Sequence, residues 1–418
     1  MLSHFMKIRK NALRNCTGRF LFKLLLVGLL AACGSQPPRA AAPPADANPT
    51  PASATASAPP IVTEVKTPSA TGGLTSAATV APPTAAFVAE TAAATTANHP
   101  AGESIASASP SPSPVPPPLP TFTHPLIRPG VAPGAYLSDP CEYLRRRWSP
   151  EASEPGTVVA PIMFHGIRGE GKNLLEGDTM SVSAEDFKLF VNFAKNNGFV
   201  TITTHQLIGF LLRNERIPAR ALLMIVDDRR PGTIESHFLP ELEANDWSVT
   251  LGWIIGDTKK SLWDWIERLY ASGRLDVQSH GYAHNYITQY TSEADIRHEL
   301  FDPIPVLEEH FGQRPEAFIW PGGNFTAPAV ALAQEAGYTL GFTAFSRGPL
   351  MFNWIPLGEE EQAVQTPLLT LPRFWSTDLT VSLTTSIQIG EAARAAAEVN
   401  FPQEAAYYRQ YCGGELKP

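Results

Sequence analysis

The stretch "ALLMIVDDRRPG", residues 221–232, runs six apolar residues into two adjacent carboxylates, Asp227 and Asp228, and then into two arginines. A continuous apolar run of this length, closed by turn-forming residues, suits a strand buried on both faces, as in parallel sheets covered by helices. In such sheets ligands gather at the carboxyl ends of the strands, so acids that follow the strand directly stand at a shared mouth. Side chains leaving a strand alternate in direction, which lets one acid hold a metal while the other takes a proton. Asp after a strand also serves ordinary turns and helix caps. By itself the stretch leaves both readings open.

Outward from it the chain alternates strand and helix patterns. "TVVAPIMF" (157–164) reads as a buried strand. A helix follows in "SAEDFKLFVNFAKNNG", where Ser183 and Asp186 make a capping pattern, Phe187, Phe190, Val191 and Ala194 share one face, and Gly198 supplies the stop. Strand "FVTI", helix "HQLIGFLL", strand "ALLMIV", a helix near 233–245, strand "SVTLGWII" and helix "SLWDWIERLYASG" continue the series. Then come strand "LDVQS", a helical region broken around Pro303 and Pro305, strand "AFIW", helix "APAVALAQEAG", and strands "TLGFTAF" and "LLTLP". Repeated strand-then-helix order implies parallel strands joined by crossovers, hence an α/β fold that is either a doubly wound sheet or a barrel.

A second segment bears on the acid pair. "LDVQS" runs into "HGYAH", so His280 and His284 stand four apart, the spacing that sets two imidazoles on one face of a helical turn. Two histidines and one carboxylate can form a facial triad that leaves positions open for water and substrate. Solvated or capping histidines are the plainer alternative.

"VDD" after an apolar strand and "SHGYAH" about fifty residues on resemble the polysaccharide deacetylases of carbohydrate esterase family 4. The likeness spans about 157–380 and includes "PIMFHGI", "VSAEDF", "NNGFVTITTHQL" and "WPGGNFT". It is nearer still to the branch of extracellular poly-N-acetylglucosamine deacetylases. The resemblance implies a distorted (β/α) barrel of about seven parallel strands in one catalytic domain. It also implies one divalent metal ion, usually zinc, held by Asp228, His280 and His284, with Asp227 as general base. A backbone N–H at Gly322, in Pro321-Gly322-Gly323, would meet the oxyanion. The branch takes its general acid from the early histidine motif, which here is His165.

The chain also departs from the family pattern. Arg229 stands where glycine usually follows the acid pair, and is expected to narrow the mouth or reposition Asp227. Gly322 replaces an aromatic residue, and Ile319 holds the place of the arginine that steadies the base. Arg373, in "LPRFW", could substitute by pairing with Asp227, or be a structural arginine. Trp320, Phe325, Tyr282, Tyr286 and Trp375 lie near these motifs and could stack on sugar faces or belong to the core. The implied function is N-deacetylation of an acetylated amino-sugar polymer. The alternatives are a glycan-binding lipoprotein that has lost turnover and an O-acetyl polysaccharide esterase.

The ends of the chain set the compartment. Residues 1–32 carry six Lys or Arg and no acid around the short apolar core "LLLVGLLAA", an export-signal pattern too short for a membrane span. Leu30-Ala31-Ala32-Cys33-Gly34 resembles a lipobox, making Cys33 the expected lipidation site and the membrane a partner through that anchor. Loss of the signal takes the formal charge from -8 to about -14, which argues against nucleic-acid binding. From 33 to about 125 the chain is rich in Ala, Pro, Ser and Thr and reads as a disordered tether. The domain is expected over 126–418. Once exported, Cys141 and Cys412 could pair in an oxidising compartment.

Overall fold

The computed structural model describes residues 116–169, 172, 174 and 178–417. The expected export signal, Cys33 and the tether through residue 115 lie outside the described residues. The packed region reaches back a little beyond the expected start at Leu126, because the carbonyl of Phe122 accepts from Trp354 Nε1 at 3.0 Å. Among the described residues no helix is long and apolar enough to cross a membrane.

Helix Pro140–Arg147 (α1) precedes the first strand of the main sheet, Val158–Phe164 (β1). Then come Ala184–Asn196 (α2), Val200–Thr201 (β2), Thr204–Arg213 (α3) and Arg220–Val226 (β3). The stretch 231–245 is helical, with a π turn over Ile234–Phe238. Val249–Trp253 (β4), Lys260–Tyr270 (α4), Leu275–Ser279 (β5), Glu293–Phe301 (α5) and Pro303–Phe311 (α6) follow. Ala317–Ile319 (β6), Ala327–Glu335 (α7), Leu340–Phe342 (β7), Phe374–Trp375 (β8) and the long helix Leu379–Tyr411 (α8) complete the order.

The strands pair in parallel in the order β7-β6-β5-β4-β3-β1-β8, with β2 beside the start of β3. One short segment brings the two edges together. Leu371 bridges Phe342 of β7, with Leu371 N donating to Gly341 O at 2.7 Å, and three residues later β8 pairs with Ile162 and Met163 of β1. The result is the distorted barrel of parallel strands that the resemblance implied.

The apolar run in β3 explains why the sheet can close. Leu222, Met224 and Val226 face the helices, where they join Phe187, Phe190 and Phe238, while Ala221, Leu223 and Ile225 face the interior with Ile319 and Phe342. All six are fully or almost fully buried. Each large side chain so covered contributes about 1.5–3 kcal/mol, which no strand with a polar face could match.

One expected strand needs correcting. The "LLTLP" segment is not a strand: Pro367–Leu369 forms a 3-10 turn, since proline suits a turn's start and cannot donate to a ladder, and the strand begins at Phe374. Helix α8 escaped sequence analysis. Its first turns are rich in Thr and Ser, with Gly390 midway and Pro402 within it. Gly390 is required by contact, because a Cβ there would lie 2.8 Å from Gly156 O and 2.9 Å from Val158 Cγ1 where α8 crosses the start of β1. A disulfide joins Cys141 to Cys412, with Cα atoms 5.4 Å apart, and ties α1 to the end of α8.

Candidate active site

The site grows out of the ends of β1, β3 and β5. Asp227 N still donates to Phe164 O at 2.8 Å, so Asp227 continues the ladder, and alternation turns its side chain inward with Leu223 and Ile225. Asp228 leaves the ladder at φ 69°, a left-handed conformation unusual outside glycine. Strained backbone of this kind clusters where function over-determines the structure. The two acids therefore differ in backbone conformation, although both reach His280 Nε2, Asp227 Oδ2 at 4.0 Å and Asp228 Oδ1 at 3.8 Å.

His280 is anchored in the same way. Its N–H donates to Trp253 O at 3.0 Å, and its Nδ1 lies 2.8 Å from Ile319 O. That second contact turns Nε2 toward the acids. Burial pushes the His280 imidazole down to about 4, so it is neutral at neutral pH and keeps a lone pair for a cation.

The segment from His280 to His284 is not a helical turn, contrary to the reading of its spacing. Gly281 (φ 83°) and His284 (φ 62°) both adopt left-handed backbone, and the loop curls around the buried carboxylate of Glu299. The imidazoles still converge, with ring centroids 4.6 Å apart. Asp228 Oδ1 lies 3.8 Å from Nε2 of each histidine, and one ligand atom from each of the three residues falls within 4.8 Å of the others. Zinc bonds of about 2.0–2.2 Å allow two shared ligands to stand up to about 4.4 Å apart, so the donor set fits one divalent ion after a small contraction.

Asp227 stands beside this cluster, its Oδ2 4.0 Å from His280 Nε2. Its other oxygen accepts from Arg373 Nη1 at 2.6 Å, and both side chains are buried. Burial alone would raise the Asp227 carboxyl, but Arg373, with His280 and His165 behind it, holds it below the usual carboxylate range. Arg373 is itself fixed by donating from Nε to Thr343 O at 2.8 Å. Across the site His165 Nε2 lies 3.8 Å from Asp227 Oδ2. Burial lowers the His165 imidazole, against the opposing pull of Asp227 and Asp228.

Gly322 sits in the 3-10 turn Pro321–Gly323 at φ 63°. A Cβ there would come within 2.9 Å of the Tyr286 ring, which in turn lies against the His284 ring at 5.7 Å. Tyr286 is half exposed at this edge of the site. Trp320 is core, donating to Leu369 O, and Trp375 donates to Ala344 O. Phe325 and Tyr282 are packed, partly buried, against the core.

Arg229 is turned away from Asp227. It donates to the carbonyls of Ile254, at 2.9 Å, and Gly256, so it braces the loop after β4 while Asp227 takes Arg373. Two participants escaped sequence analysis. Arg230 pairs with Asp228 Oδ2 at 3.0 Å and leaves Oδ1 facing the histidines. Glu299 lies fifteen residues past His284, and no local pattern ties it to the site.

Residues 215–341 match the family model described as polysaccharide deacetylase. YxkH of Bacillus subtilis (strain 168), whose name carries the words polysaccharide deacetylase, is 20% identical over 185 residues. The match covers 44% of this chain and 63% of that relative, so the chain spans less than two thirds of its length. Among solved structures, the chain is similar to the Streptococcus pyogenes deacetylase PplD in complex with acetate. That likeness has 18% identity and a TM-score of 0.46, and covers 55% of this chain and 99% of that one. BC0361, a polysaccharide deacetylase from Bacillus cereus, is 19% identical with a TM-score of 0.44, covering 55% and 69%.

Proposed function

We propose that this chain is a polysaccharide deacetylase: a metal-dependent hydrolase that removes N-acetyl groups from an amino-sugar polymer, held at the cell surface by lipid on Cys33. The observation that carries the reading is one carboxylate oxygen, Asp228 Oδ1, 3.8 Å from two imidazole nitrogens, beside a second, buried carboxylate, Asp227, that accepts from Arg373.

Asp228, His280 and His284 would hold the cation, which supplies Lewis acidity to the acetyl carbonyl and to the attacking water. Asp227 takes the proton from that water as its oxygen bonds to the acetyl carbon. Arg373 keeps Asp227 charged and aimed while buried. The N–H of Gly322 is the oxyanion donor on this reading. When the carbon–nitrogen bond breaks, His165 donates a proton to the departing amine, and Asp227, its Oδ2 3.8 Å from His165 Nε2, returns to His165 the proton it took from water, leaving acetate and a free amino sugar. The tether suits a substrate too large to diffuse to its enzyme. The residues serve an ester as readily as an amide, so leaving-group chemistry must be tested directly.

Acetate release from chitin oligomers, poly-N-acetylglucosamine, peptidoglycan and acetylated xylan, with and without chelator, tests the proposal. Chelator-sensitive release from an N-acetylated polymer is expected. Release from acetylated xylan alone would reassign the chain as an O-acetyl esterase, and tight glycan binding with no release would make it a binding protein.

A further inference from the structure

Glu299 lies on α5, outside every motif that points to the site, yet its side chain is the centre of the loop carrying His284. It is completely buried. Four successive backbone N–H groups donate to its carboxylate: Tyr282 at 2.8 Å, Ala283 and His284 at 3.2 Å, and Asn285 at 3.1 Å. The Asn285 side chain adds a fifth donor at 2.7 Å. Successive N–H groups turned toward one anion form a nest, which normally binds a ligand; here the chain supplies its own anion. Gly281 is part of the device, because a Cβ at that position would collide with Glu299 Oε2.

The two histidines are held by different means. His280 is fixed by the sheet ladder and by Ile319 O. His284 sits beyond the sheet at φ 62°, where its imidazole meets Asp228, His280 and Tyr286. What sets its backbone is the bond from its own N–H, and from those of its neighbours, to Glu299. We propose that Glu299 is a positioning residue for metal binding, a carboxylate that touches neither metal nor substrate and shapes the loop so that His284 can complete the ligand set. This rests on the metal-site reading above.

Its test is zinc titration calorimetry on the full chain, with cobalt substitution to read coordination from the visible spectrum. Glu299→Gln keeps one acceptor oxygen and sets an NH2 against the nest. Zinc affinity should fall about 10- to 100-fold, in line with the loss of partners that orient a ligand, and the cobalt bands should shift. Glu361→Gln is the control, since Glu361 is also buried but pairs with Arg347 at 2.5 Å. It should lower the melting temperature and leave zinc affinity unchanged. Glu299→Gln binding zinc within twofold of wild type, with an unshifted spectrum, would overturn the proposal. So would an equal loss of affinity in Glu361→Gln, which would mark general destabilisation. Should Glu299→Gln not fold, Asn285→Ala removes one donor to the same carboxylate and should weaken zinc several-fold; unaltered affinity there would also overturn it. Wild-type protein that takes up no divalent ion is a separate outcome, which rejects the metal site itself and the role of Glu299 with it.

Discussion

Replacing Arg373 by Met probes the charge on Asp227 more directly than any change at the proposed metal ligands. The guanidinium stands 2.6 Å from Asp227 Oδ1, and both groups are buried. At an effective dielectric of about 20, unit charges about 4 Å apart interact by about 4 kcal/mol, equivalent to about three pKa units. Loss of Arg373 therefore raises the Asp227 carboxyl. A base is disabled as pH falls through its pKa, so the acid limb of kcat/KM for acetate release should move up by as much as about three units. Stability should fall by about 3–5 kcal/mol, because a buried carboxylate is left without its partner. Two companions separate the causes. Arg373→Lys keeps a charge without the planar fork and should move the limb less. Arg373→Met with Asp227→Asn removes both charges and should recover most of the lost stability. An acid limb in Arg373→Met that coincides with wild type would refute the reasoning, because either Asp227 is not the base or Arg373 does not tune it.

His284→Ala should abolish stoichiometric zinc uptake, measured by elemental analysis, with little change in melting temperature of the metal-free protein; full occupancy would remove His284 from the ligand set. His165→Asn should lower kcat by about 10²- to 10⁴-fold while zinc content holds, and an undiminished rate would deny it the proton-donor role. Metal-free protein should lose stability as pH falls from about 6.5 toward 4. The folded state, with its depressed His280, binds fewer protons there than the unfolded chain, worth about 1.4 kcal/mol per pH unit for that group; denaturant melts showing no decline over this range would count against its burial as a neutral imidazole. Reduction of the Cys141–Cys412 disulfide should cost about 2–5 kcal/mol, read as a lowered melting temperature in reductant.

The barrel was legible because its strands are apolar on both faces and end where polar residues begin, as β3 does at Asp227. The same boundary marked His165 and His280, each directly after a strand. What the sequence hid are features made by distant chain or by backbone conformation. A spacing of four between His280 and His284 suggested a helix, whereas the structure reaches convergence through two left-handed residues curled around Glu299, from the next helix. The pairing of Arg373 with Asp227 was visible as one of two possibilities, since the late-strand placement suggested it, but burial of both groups is a tertiary fact. Arg230 was missed because an arginine after an acid pair reads as a solvated turn. Helix α8 was missed because its close passage over Gly156 and Val158 selects small residues that weaken a helical stripe.

The seam of the barrel has a consequence for tolerance to change. Leu371 leans on one edge of the sheet, Phe374 and Trp375 on the other, and Arg373 stands between them. Circularity of the scaffold and polarity of the candidate site thus share a single five-residue strap. A cut, an insertion or a register slip there would open the cylinder and strand Asp227 in the same event, whereas comparable edits in the helices outside need disturb neither.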